Sequence, residues 1–370
     1  MNIKLENFNG CGIFYSYTSS VLIAERMISD GRNVFFKNGQ QCTLAPEGKN
    51  FPVSLDEALE LNKLSEEDVL INVGRKRLDV IYEHASLDNT IVVTEACNSN
   101  CVMCPVPESV RRYDQGFTIN ELLDYVRYIP EDAEHITITG GEPFLVGEDI
   151  FKLFKALQQY HNNTEYLLLT NGRIFANLNY EQQFALSKPD NLTVGIPIHG
   201  YSAETHDEIT QVPGSFMQTV LGIHHLVNDG INVEIRFVVS GLNHRFITKM
   251  SKLVVDQFPA IDSVKFMGLE MMGNAAVNQE KVWIPYELAF NDSKEGIDYL
   301  LTNGIDVELY NFPLCAVEQS YWGICRKSIT GYKIRYQEQC NSCVVKDACG
   351  GLFEGTIRLV NTLKPVLFEK

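Results

Sequence analysis

The stretch Thr94-Glu95-Ala96-Cys97-Asn98-Ser99-Asn100-Cys101-Val102-Met103-Cys104 places three thiols close together in the chain. Thiolates are the usual ligands of iron-sulfur clusters. No further cysteine follows until Cys315, so three thiolates would leave one iron of a four-iron cluster without a protein ligand. In other metal enzymes an open coordination site admits a small molecule. In this protein the open iron could be chelated by the amino and carboxylate groups of such a molecule. The stretch therefore predicts a reactive cluster at this point of the chain.

The spacing Cys97-x-x-x-Cys101-x-x-Cys104, with Met103 before the third cysteine, resembles the cluster motif of the radical S-adenosylmethionine (SAM) superfamily. The resemblance implies that the three cysteines hold a 4Fe-4S cluster that splits SAM reductively. The 5'-deoxyadenosyl radical formed in this way would abstract a hydrogen from a substrate. The alternatives are a zinc site or unrelated buried cysteines. Zinc sites usually show two paired groups of Cys or His, and no second pair lies nearby in the sequence.

The composition is that of a globular protein. A chain of 370 residues with 45% hydrophobic content can bury a large core, and suggests one large domain with one or two small ones. The net charge of -16 argues against a nucleic-acid binder. Residues 1–8 lack the order of a signal peptide, and no apolar run is long enough to span a membrane. We therefore expect a cytoplasmic protein, whose clustered cysteines serve metal binding or catalysis.

Residues 1–88 predict a small N-terminal α/β domain. Asn38-Gly39 between two apolar runs predicts a β-hairpin, and residues 68–82 predict a second one. Ser54-Leu55-Asp56-Glu57 has the pattern of a helix capping box. The two hairpins offer a strand edge that a peptide leader could pair with. The alternative is a unit that only packs against one end of the next domain.

From residue 89 to residue 282 a strand followed by a helix recurs, which predicts a partial (β/α)6 TIM-like barrel with a parallel sheet. The predicted strands are residues 90–94, 136–139, 166–170, 192–198, 233–239 and 264–269. Predicted helices between them include residues 119–128, 149–159 and 216–228. Reactive groups in curled sheets of this kind lie at the carboxyl ends of the strands.

Gly140-Gly141-Glu142-Pro143 follows the second predicted strand. Two glycines let the backbone approach a ligand closely, and a carboxylate there can accept hydrogen bonds from an ammonium group. The segment lies about one βα unit after the three cysteines. In that position it resembles the radical SAM motif that holds the amino group of SAM.

Further segments resemble the same superfamily in the expected order. Thr170-Asn171-Gly172 resembles its turn after the third strand, and the segment 268–275, which contains Leu269, resembles its sixth strand, where backbone and apolar groups meet the adenine. Both segments are also ordinary turn sequences. His199 stands where peptide-modifying members usually carry a Ser-x-Asp-Gly sequence. It is interpreted either as a ligand of SAM or substrate, or as a cap of the strand end.

Arg236 lies on the fifth predicted strand. A guanidinium inside an apolar barrel is costly unless it is paired. Its partner is predicted to be a carboxylate of SAM or of the substrate. The alternative is an ion pair with Glu234 or Glu270.

The region 283–370 predicts a C-terminal cysteine-rich domain. Cys340-x-x-Cys343-x-x-x-x-x-Cys349, together with Cys315, supplies four thiolates, enough for a second cluster. The pattern resembles the SPASM and twitch domains of radical SAM peptide maturases. Phe353 stands where the full SPASM pattern has a cysteine, so the resemblance implies one auxiliary 4Fe-4S cluster. A four-cysteine zinc site is the alternative, and the role of Cys325 stays open.

Residues 89–355 as a whole resemble the C-type member of the His-Xaa-Ser system radical SAM maturases. The segments that carry this resemblance are the cysteine motifs, Pro313-Leu314-Cys315 and Lys327-Ser328-Ile329. The resemblance implies a ribosomally made precursor peptide with His-Xaa-Ser repeats as substrate. It also implies an electron donor such as a flavodoxin or ferredoxin, and a paired radical SAM protein. Two other functions stay open: an activating enzyme that generates a radical on another protein, and a zinc-stabilised peptide-binding protein without enzymatic activity.

Overall fold

The computed structural model describes residues 1–114, 116–261, 263–327, 331–361 and 363–367. Ser328 and Ile329, which belong to one of the motifs above, lie outside the described residues. The described part of the chain forms two large β-sheets and one small sheet. Within this part, no helix combines the length and the apolar character that crossing a membrane would require.

The first large sheet is mixed and has the strand order β1-β7-β6-β2-β3-β4-β5. Its strands are β1 (Asn2–Lys4), β2 (Phe14–Thr18), β3 (Val34–Asn38), β4 (Gln41–Ala45), β5 (Lys49–Pro52), β6 (Val69–Asn72) and β7 (Arg77–Tyr82). Helices α1 (Val21–Ser29) and α2 (Leu55–Leu61) complete this unit. Both predicted hairpins are confirmed, as β3–β4 and β6–β7. The predicted capping box is also confirmed, with the Glu57 carboxylate 2.7 Å from the Ser54 amide nitrogen.

The two hairpins do not provide the free strand edge that the sequence suggested. β4 is covered by β5, and β7 is covered by β1, so each hairpin strand has a neighbour on both sides. The edges of this sheet are the short strands β1 and β5. The expectation failed because the flanking segments 2–4 and 49–52 are too short to stand out as strands in the sequence. Within the described residues, the strands of this sheet to which a peptide could add are β1 and β5.

The second large sheet contains parallel strands in the order β15-β14-β13-β12-β11-β10-β9-β8. Its strands are β8 (Asn89–Val92), β9 (His135–Thr139), β10 (Glu165–Leu169), β11 (Leu192–Pro197), β12 (Asn232–Val238), β13 (Ser263–Met267), β14 (Asp306–Tyr310) and β15 (Cys325–Arg326). The six predicted strands are confirmed within one or two residues. β14 and β15 continue the sheet beyond residue 283, where we had predicted a separate domain to begin. In the described residues β8 does not pair with β15, so the barrel is open as predicted.

Helices lie between these strands, and the longer ones pack their apolar sides into the core on one face of the sheet. They are α3 (Glu108–Tyr113), α4 (Ile119–Tyr128), α5 (Asp149–Tyr160), α6 (Leu178–Ser187), α7 (Ala203–Thr210), α8 (Ser215–Asn228), α9 (Ile247–Gln257), α10 (Gly273–Val277), α11 (Gln279–Val282) and α12 (Tyr286–Thr302). The three helices quoted from the sequence are confirmed as α4, α5 and α8. α4 begins where it does because Thr118 and Glu121 form a capping box that satisfies its first amides. The small sheet pairs β16 (Ile334–Arg335) with β17 (Leu352–Phe353).

Side chains alternate across the large parallel sheet. Ile235 and Phe237 on β12 are fully buried in the core under the helices. Burial of each such side chain contributes about 1.5–3 kcal/mol. The residues that alternate with them, Glu234, Arg236 and Val238, line cavities on the opposite face. We call this opposite side of the sheet the inner face, and all candidate chemistry lies there or at its carboxyl end.

A buried carboxyl group on α6 is expected to make the stability of the protein depend on pH. Glu181 is fully buried, and this burial together with the nearby Asp229 raises its pKa to about 7. The folded-state pKa exceeds the ordinary value of 4.5, so the fold is more stable when the Glu181 carboxyl group is protonated. This contribution to stability is fully present below pH 4.5. This stabilisation is lost as the pH rises through about 7.

We expect the melting temperature of the wild-type protein to fall between about pH 5 and pH 8, and that of Glu181→Gln to fall less. The matched control is Glu25→Gln at an exposed position of α1. Equal pH dependence of wild type and Glu181→Gln would contradict the prediction.

Candidate active site

The cysteine loop after β8 lies against a cavity of about 370 Å³ at the carboxyl ends of the parallel strands. We call it the cysteine cavity. The structure brings ten of the predicted residues to its wall: Cys97, Cys101, Met103, Cys104, Gly140, Gly141, Asn171, His199, Arg236 and Leu269. Sequence motifs scattered over six strands of the sheet therefore meet in one space.

Gly140 and Gly141 allow two loops to touch. A Cβ atom added to Gly140 would lie 2.2 Å from the Thr94 carbonyl oxygen, and one added to Gly141 would lie 2.2 Å from the Ala96 carbonyl oxygen. The Gly141 amide donates to that Thr94 oxygen at 2.8 Å. The glycines are thus required by the close approach of the cysteine loop, a contact that the sequence had not indicated.

Glu142 and Pro143 do not lie on the wall of the cavity. The Glu142 carboxylate is buried and accepts hydrogen bonds from the Asn171 amide and the Thr170 hydroxyl, both at 2.8 Å. Burial raises the pKa of Glu142, although these bonds oppose the shift. The carboxylate therefore joins the turn after β9 to the turn after β10. Its role in the structure is to position the Asn171 turn, and direct contact with an ammonium group stays a prediction.

Two arginines that the sequence did not single out hold the cysteine loop. The buried Arg111 donates to the Ser99 carbonyl oxygen and to the Asn100 side-chain oxygen, each at 2.7 Å. Arg173 donates to the Asn98 carbonyl oxygen at 3.1 Å. The loop carbonyls need such donors because they lack partners in a regular element. No local pattern in the sequence could have identified which arginines supply them.

Asparagines after β13 hold the other half of the loop. The backbone amide of Asn274 donates to the Cys104 carbonyl oxygen at 2.9 Å. The side-chain amide of Asn274 donates to the Cys101 carbonyl oxygen at 3.0 Å. The Asn278 side chain donates to the Val102 carbonyl oxygen at 3.0 Å. The first and sixth strands of the predicted barrel are therefore joined through the cysteine loop.

Burial disfavours the thiolate form of two thiols of the cysteine cavity, Cys97 and Cys101. Burial raises the pKa of Cys97, and it raises the pKa of Cys101 to about 12. Cluster formation must therefore release protons from these groups. Three thiols on one wall, with room beside them for a small molecule, fit a cluster that has one iron free of protein ligands.

Two histidines form one edge of the cysteine cavity. His199 and His206 are buried, and their ring centroids lie 5.4 Å apart. The His199 amide donates to Nδ1 of His206 at 3.2 Å. Burial and the mutual proximity of the rings lower the pKa of His199 to about 3, and burial lowers that of His206 to about 4. Both rings are therefore neutral at physiological pH. Nδ1 of His199 is buried and has no hydrogen-bond partner among the described residues.

Arg236 pairs with Glu234, which was one of the two alternatives from the sequence. Its Nε lies 2.6 Å from the Glu234 carboxylate. Gly195 on the neighbouring strand leaves room for the pair, since a Cβ atom there would lie 3.2 Å from the carboxylate. Arg236 nevertheless lines the cysteine cavity. A ligand carboxylate would therefore meet a guanidinium that is already held in place.

The four cysteines of the C-terminal region line a second, smaller cavity, the tail cavity. Its wall includes Cys315, Cys340, Cys343 and Cys349, whereas Cys325 is not part of it. Burial, with the neighbouring Cys349, Cys340 and Cys343, raises the pKa of Cys315 to about 12. The donor set fits a second cluster with four thiolate ligands. In the described residues no three His, Cys, Asp or Glu side chains converge on a single-ion site, so the case for metal rests on the donor chemistry and on the shared cavity walls.

Strand β17 separates the two cavities. Leu352 lines the tail cavity, and the next residue, Phe353, lines the cysteine cavity. Successive side chains of a strand point to opposite faces, so β17 presents one residue to each cavity. The C-terminal region therefore completes the cysteine cavity.

Removal of the four tail thiols gives a quantitative prediction. We expect a variant with Cys315, Cys340, Cys343 and Cys349 all changed to alanine to lose the iron of about one cluster, measured per chain after anaerobic reconstitution. The matched control is Cys325→Ala, which removes a neighbouring thiol that does not line the tail cavity. Unchanged iron in the fourfold variant, or zinc in place of iron in the wild type, would contradict the prediction.

Comparison with known proteins relates the middle of the chain to one superfamily. Residues 91–248 match the model of the radical SAM superfamily. An AdoMet-dependent heme synthase of Oleidesulfovibrio alaskensis is 28% identical over 162 residues, which are 44% of this chain and 40% of that protein. A GTP 3',8-cyclase of Desulforamulus reducens is 31% identical over 126 residues, which are 33% of this chain and 37% of that protein. The chain thus spans about two fifths of the length of the curated relatives it matches.

Among solved structures, Streptococcus suis SuiB bound to S-adenosylmethionine has a TM-score of 0.50 and 16% sequence identity. The match covers 61% of this chain and 50% of that one. At this identity the likeness supports the fold, a parallel sheet curled into a half-barrel.

Proposed function

We propose, on the premise that residues 91–248 belong to the radical SAM superfamily, that the chain is an enzyme that cleaves SAM reductively and modifies a ribosomally synthesised peptide. The observation that carries the proposal is the meeting of three cysteines and the glycine pair on one cavity wall. A 4Fe-4S cluster held by Cys97, Cys101 and Cys104 would supply the electron that cleaves SAM.

The residues of the chain bind and orient the reactants. Backbone groups at Gly140 and Gly141 line the cavity beside the cysteine loop, where they can meet the methionine part of SAM. Met103 and Leu269 give the wall an apolar surface, which excludes water from a reactive radical. The neutral His199 can accept or donate one hydrogen bond without carrying a charge into the cavity.

A peptide substrate is supported by two features of the molecule. The half-barrel is open in the described residues, so a chain longer than the cavity can extend along its inner face. The cysteine-rich tail resembles that of peptide maturases, and its four thiols line one cavity. An auxiliary 4Fe-4S cluster there would accept the electron left on the substrate, or bind a substrate group.

The proposal includes partners. A flavodoxin or ferredoxin would supply the electron, a paired radical SAM protein would act on the same precursor, and the precursor would carry His-Xaa-Ser repeats.

The division into residues 1–88, 89–282 and 283–370 is part of the proposal. β14 and β15 shift its second boundary, because they belong to the sheet of the second part.

The test is co-expression with a His-Xaa-Ser precursor peptide, followed by mass spectrometry of the peptide and assay of 5'-deoxyadenosine in the anaerobic, reduced protein. We expect both 5'-deoxyadenosine and a mass change confined to the peptide. Formation of 5'-deoxyadenosine without any peptide change would reject this substrate. Zinc without iron in the purified protein would favour a non-enzymatic peptide-binding protein, and a radical found on a partner enzyme would favour an activating enzyme.

A further inference from the structure

Glu270 lies on the wall of the cysteine cavity, three residues after the end of β13. Its side chain is largely buried, with 17% exposed. Among the residues that the structure describes, none donates a hydrogen bond to its carboxylate, and the charged partner is Lys333, whose Nζ lies 3.8 Å from Oε1. That distance is longer than a hydrogen bond. A buried carboxylate without donors is costly, so this site suits a ligand group that carries a hydrogen.

The segment that carries Glu270 packs against the C-terminal region. Lys333 belongs to that region, and a Cβ atom added to Gly355 would lie 2.5 Å from the Met271 carbonyl oxygen. Phe353 on β17 lines the cysteine cavity from the same region. Glu270 therefore lies where the candidate reaction site meets the part of the chain that holds the four tail thiols.

The other titratable side chains on the described wall of the cysteine cavity are poor proton acceptors. Besides Glu270, they are Cys97, Cys101, Cys104, Arg173, His199, His206 and Arg236. The three cysteines are the expected cluster ligands, and an arginine has no acceptor atom. Burial lowers the pKa of His199 to about 3 and that of His206 to about 4, so neither ring holds a proton at neutral pH. Glu270 is the remaining candidate for a proton acceptor on this wall.

Burial makes Glu270 a stronger base than an ordinary carboxylate. It raises the pKa of Glu270 above the ordinary value of 4.5, and the nearby Lys333 opposes this shift. The other titratable groups close to it have partners of their own: Arg236 is paired with Glu234, and the Tyr286 hydroxyl bonds to other oxygen atoms. General bases work best when their pKa approaches the working pH, so the direction of this shift suits proton transfer.

Oxidative bond formation on a peptide requires a proton acceptor of this kind. Once a hydrogen atom has left a substrate carbon, that carbon can be joined to an oxygen, nitrogen or sulfur atom of the same peptide. The new bond replaces the bond between that atom and its hydrogen, and the step releases one electron and one proton. The electron passes to an oxidised 4Fe-4S cluster of the tail cavity, which is part of the proposed function. The proton must pass to a group on the wall of the reaction site.

We infer that Glu270 is the catalytic base of such an oxidation and takes the proton from an O–H, N–H or S–H group of the peptide. The inference rests on the proposed function and deepens it, because it names the class of reaction. The product lacks two hydrogen atoms of the precursor: one leaves in the radical step, and the other reaches the Glu270 carboxylate as a proton. Epimerisation, in contrast, would leave the mass of the peptide unchanged.

The test compares the reconstituted wild-type protein with Glu270→Gln, given SAM, a reductant and the His-Xaa-Ser precursor peptide. Glutamine keeps the size of the side chain but does not accept the proton. We expect formation of the modified peptide to fall about 100-fold or more, as on removal of other general bases. 5'-Deoxyadenosine should still form, and SAM should bind as tightly as to the wild type, measured by calorimetry. Glu270→Asp should restore part of the peptide modification. The matched control is Glu280→Gln, at an exposed position of α11.

A second readout follows the proton itself and needs no peptide. Infrared spectroscopy of the reconstituted wild type should show a carboxyl band that is lost with rising pH, with a midpoint above pH 4.5, and that is missing in Glu270→Gln. Peptide modification should rise with pH through the same midpoint, because the carboxylate form is the one that accepts a proton. Lys333→Met should move both midpoints to higher pH, since Lys333 lowers the pKa of Glu270. If Glu270→Gln unfolds, Lys333→Met still decides the question.

Four results would overturn the inference. They are peptide modification by Glu270→Gln at the wild-type rate, a carboxyl titration that Glu270→Gln or Lys333→Met leaves unchanged, a wild-type product that keeps the mass of the precursor, and weaker SAM binding by Glu270→Gln. The last result would assign the carboxylate to SAM instead of the peptide. Formation of 5'-deoxyadenosine by the wild type is measured separately, so failure of the proposed SAM cleavage is distinguishable from failure of this inference.

Discussion

Replacing Cys97, Cys101 and Cys104 together by alanine is expected to reduce 5'-deoxyadenosine formation to background. The three thiols are the cysteines on the wall of the cysteine cavity, and a thioether such as Met103 does not replace a thiolate in this kind of cluster. The reaction is measured by chromatography of the anaerobic, reduced protein with SAM. The iron content should fall by about one cluster at the same time.

The matched control is Cys11→Ala, which removes an exposed thiol of the N-terminal unit and should leave the activity unchanged. The variant with three alanines should remain folded, because the loop is held through its backbone. Arg111 and Asn274 bind carbonyl oxygens of this loop, and those contacts survive the substitutions. A melting temperature near that of the wild type would verify this. If 5'-deoxyadenosine still forms in the folded variant, the cluster assignment is wrong.

Local patterns were sufficient for most of the elements. The capping box at Ser54 fixed the start of α2, because this signal depends on residues three positions apart. The Asn38-Gly39 turn fixed the first hairpin in the same way. The recurrence of a strand followed by a helix located the first six parallel strands of the barrel. Such signals are contained in the segment itself, so a single sequence reveals them.

What the sequence did not reveal depends on contacts between distant segments. β15 is two residues long and joins the sheet only because β14 is there to pair with it. Donors that hold the cysteine loop come from α3, from the segment after β10 and from the segment after β13. No sequence signal indicated that Arg111, Arg173 or Asn274 would bind this loop. Glu142 was expected to face a ligand, but its carboxylate binds the turn at Asn171. In each case the partner was determined by the tertiary fold.

The second large effect concerns the N-terminal unit, whose deletion tests whether it recognises a peptide or supports the barrel. Phe14 on β2 packs against Phe117, Tyr125 and Tyr128, with ring centroids 5.6–5.8 Å apart. The Tyr125 hydroxyl donates to the Ile81 carbonyl oxygen at 3.0 Å. One hydrophobic core therefore runs through the N-terminal sheet and α4. Removal of residues 1–88 would expose this aromatic surface to water.

We therefore expect the protein lacking residues 1–88 to be insoluble or to lose its clusters. In the full chain, Phe14→Ala should lower the free energy of unfolding by about 3–5 kcal/mol, as for other buried phenylalanines, measured by denaturant titration. The matched control, Leu186→Ala, removes an apolar side chain that is 89% exposed and should change the stability little. A truncated protein that stays soluble and cleaves SAM but no longer modifies a peptide would show instead that residues 1–88 recognise the substrate. Because neither hairpin has a free edge, recognition by strand addition to this sheet would then use β1 or β5.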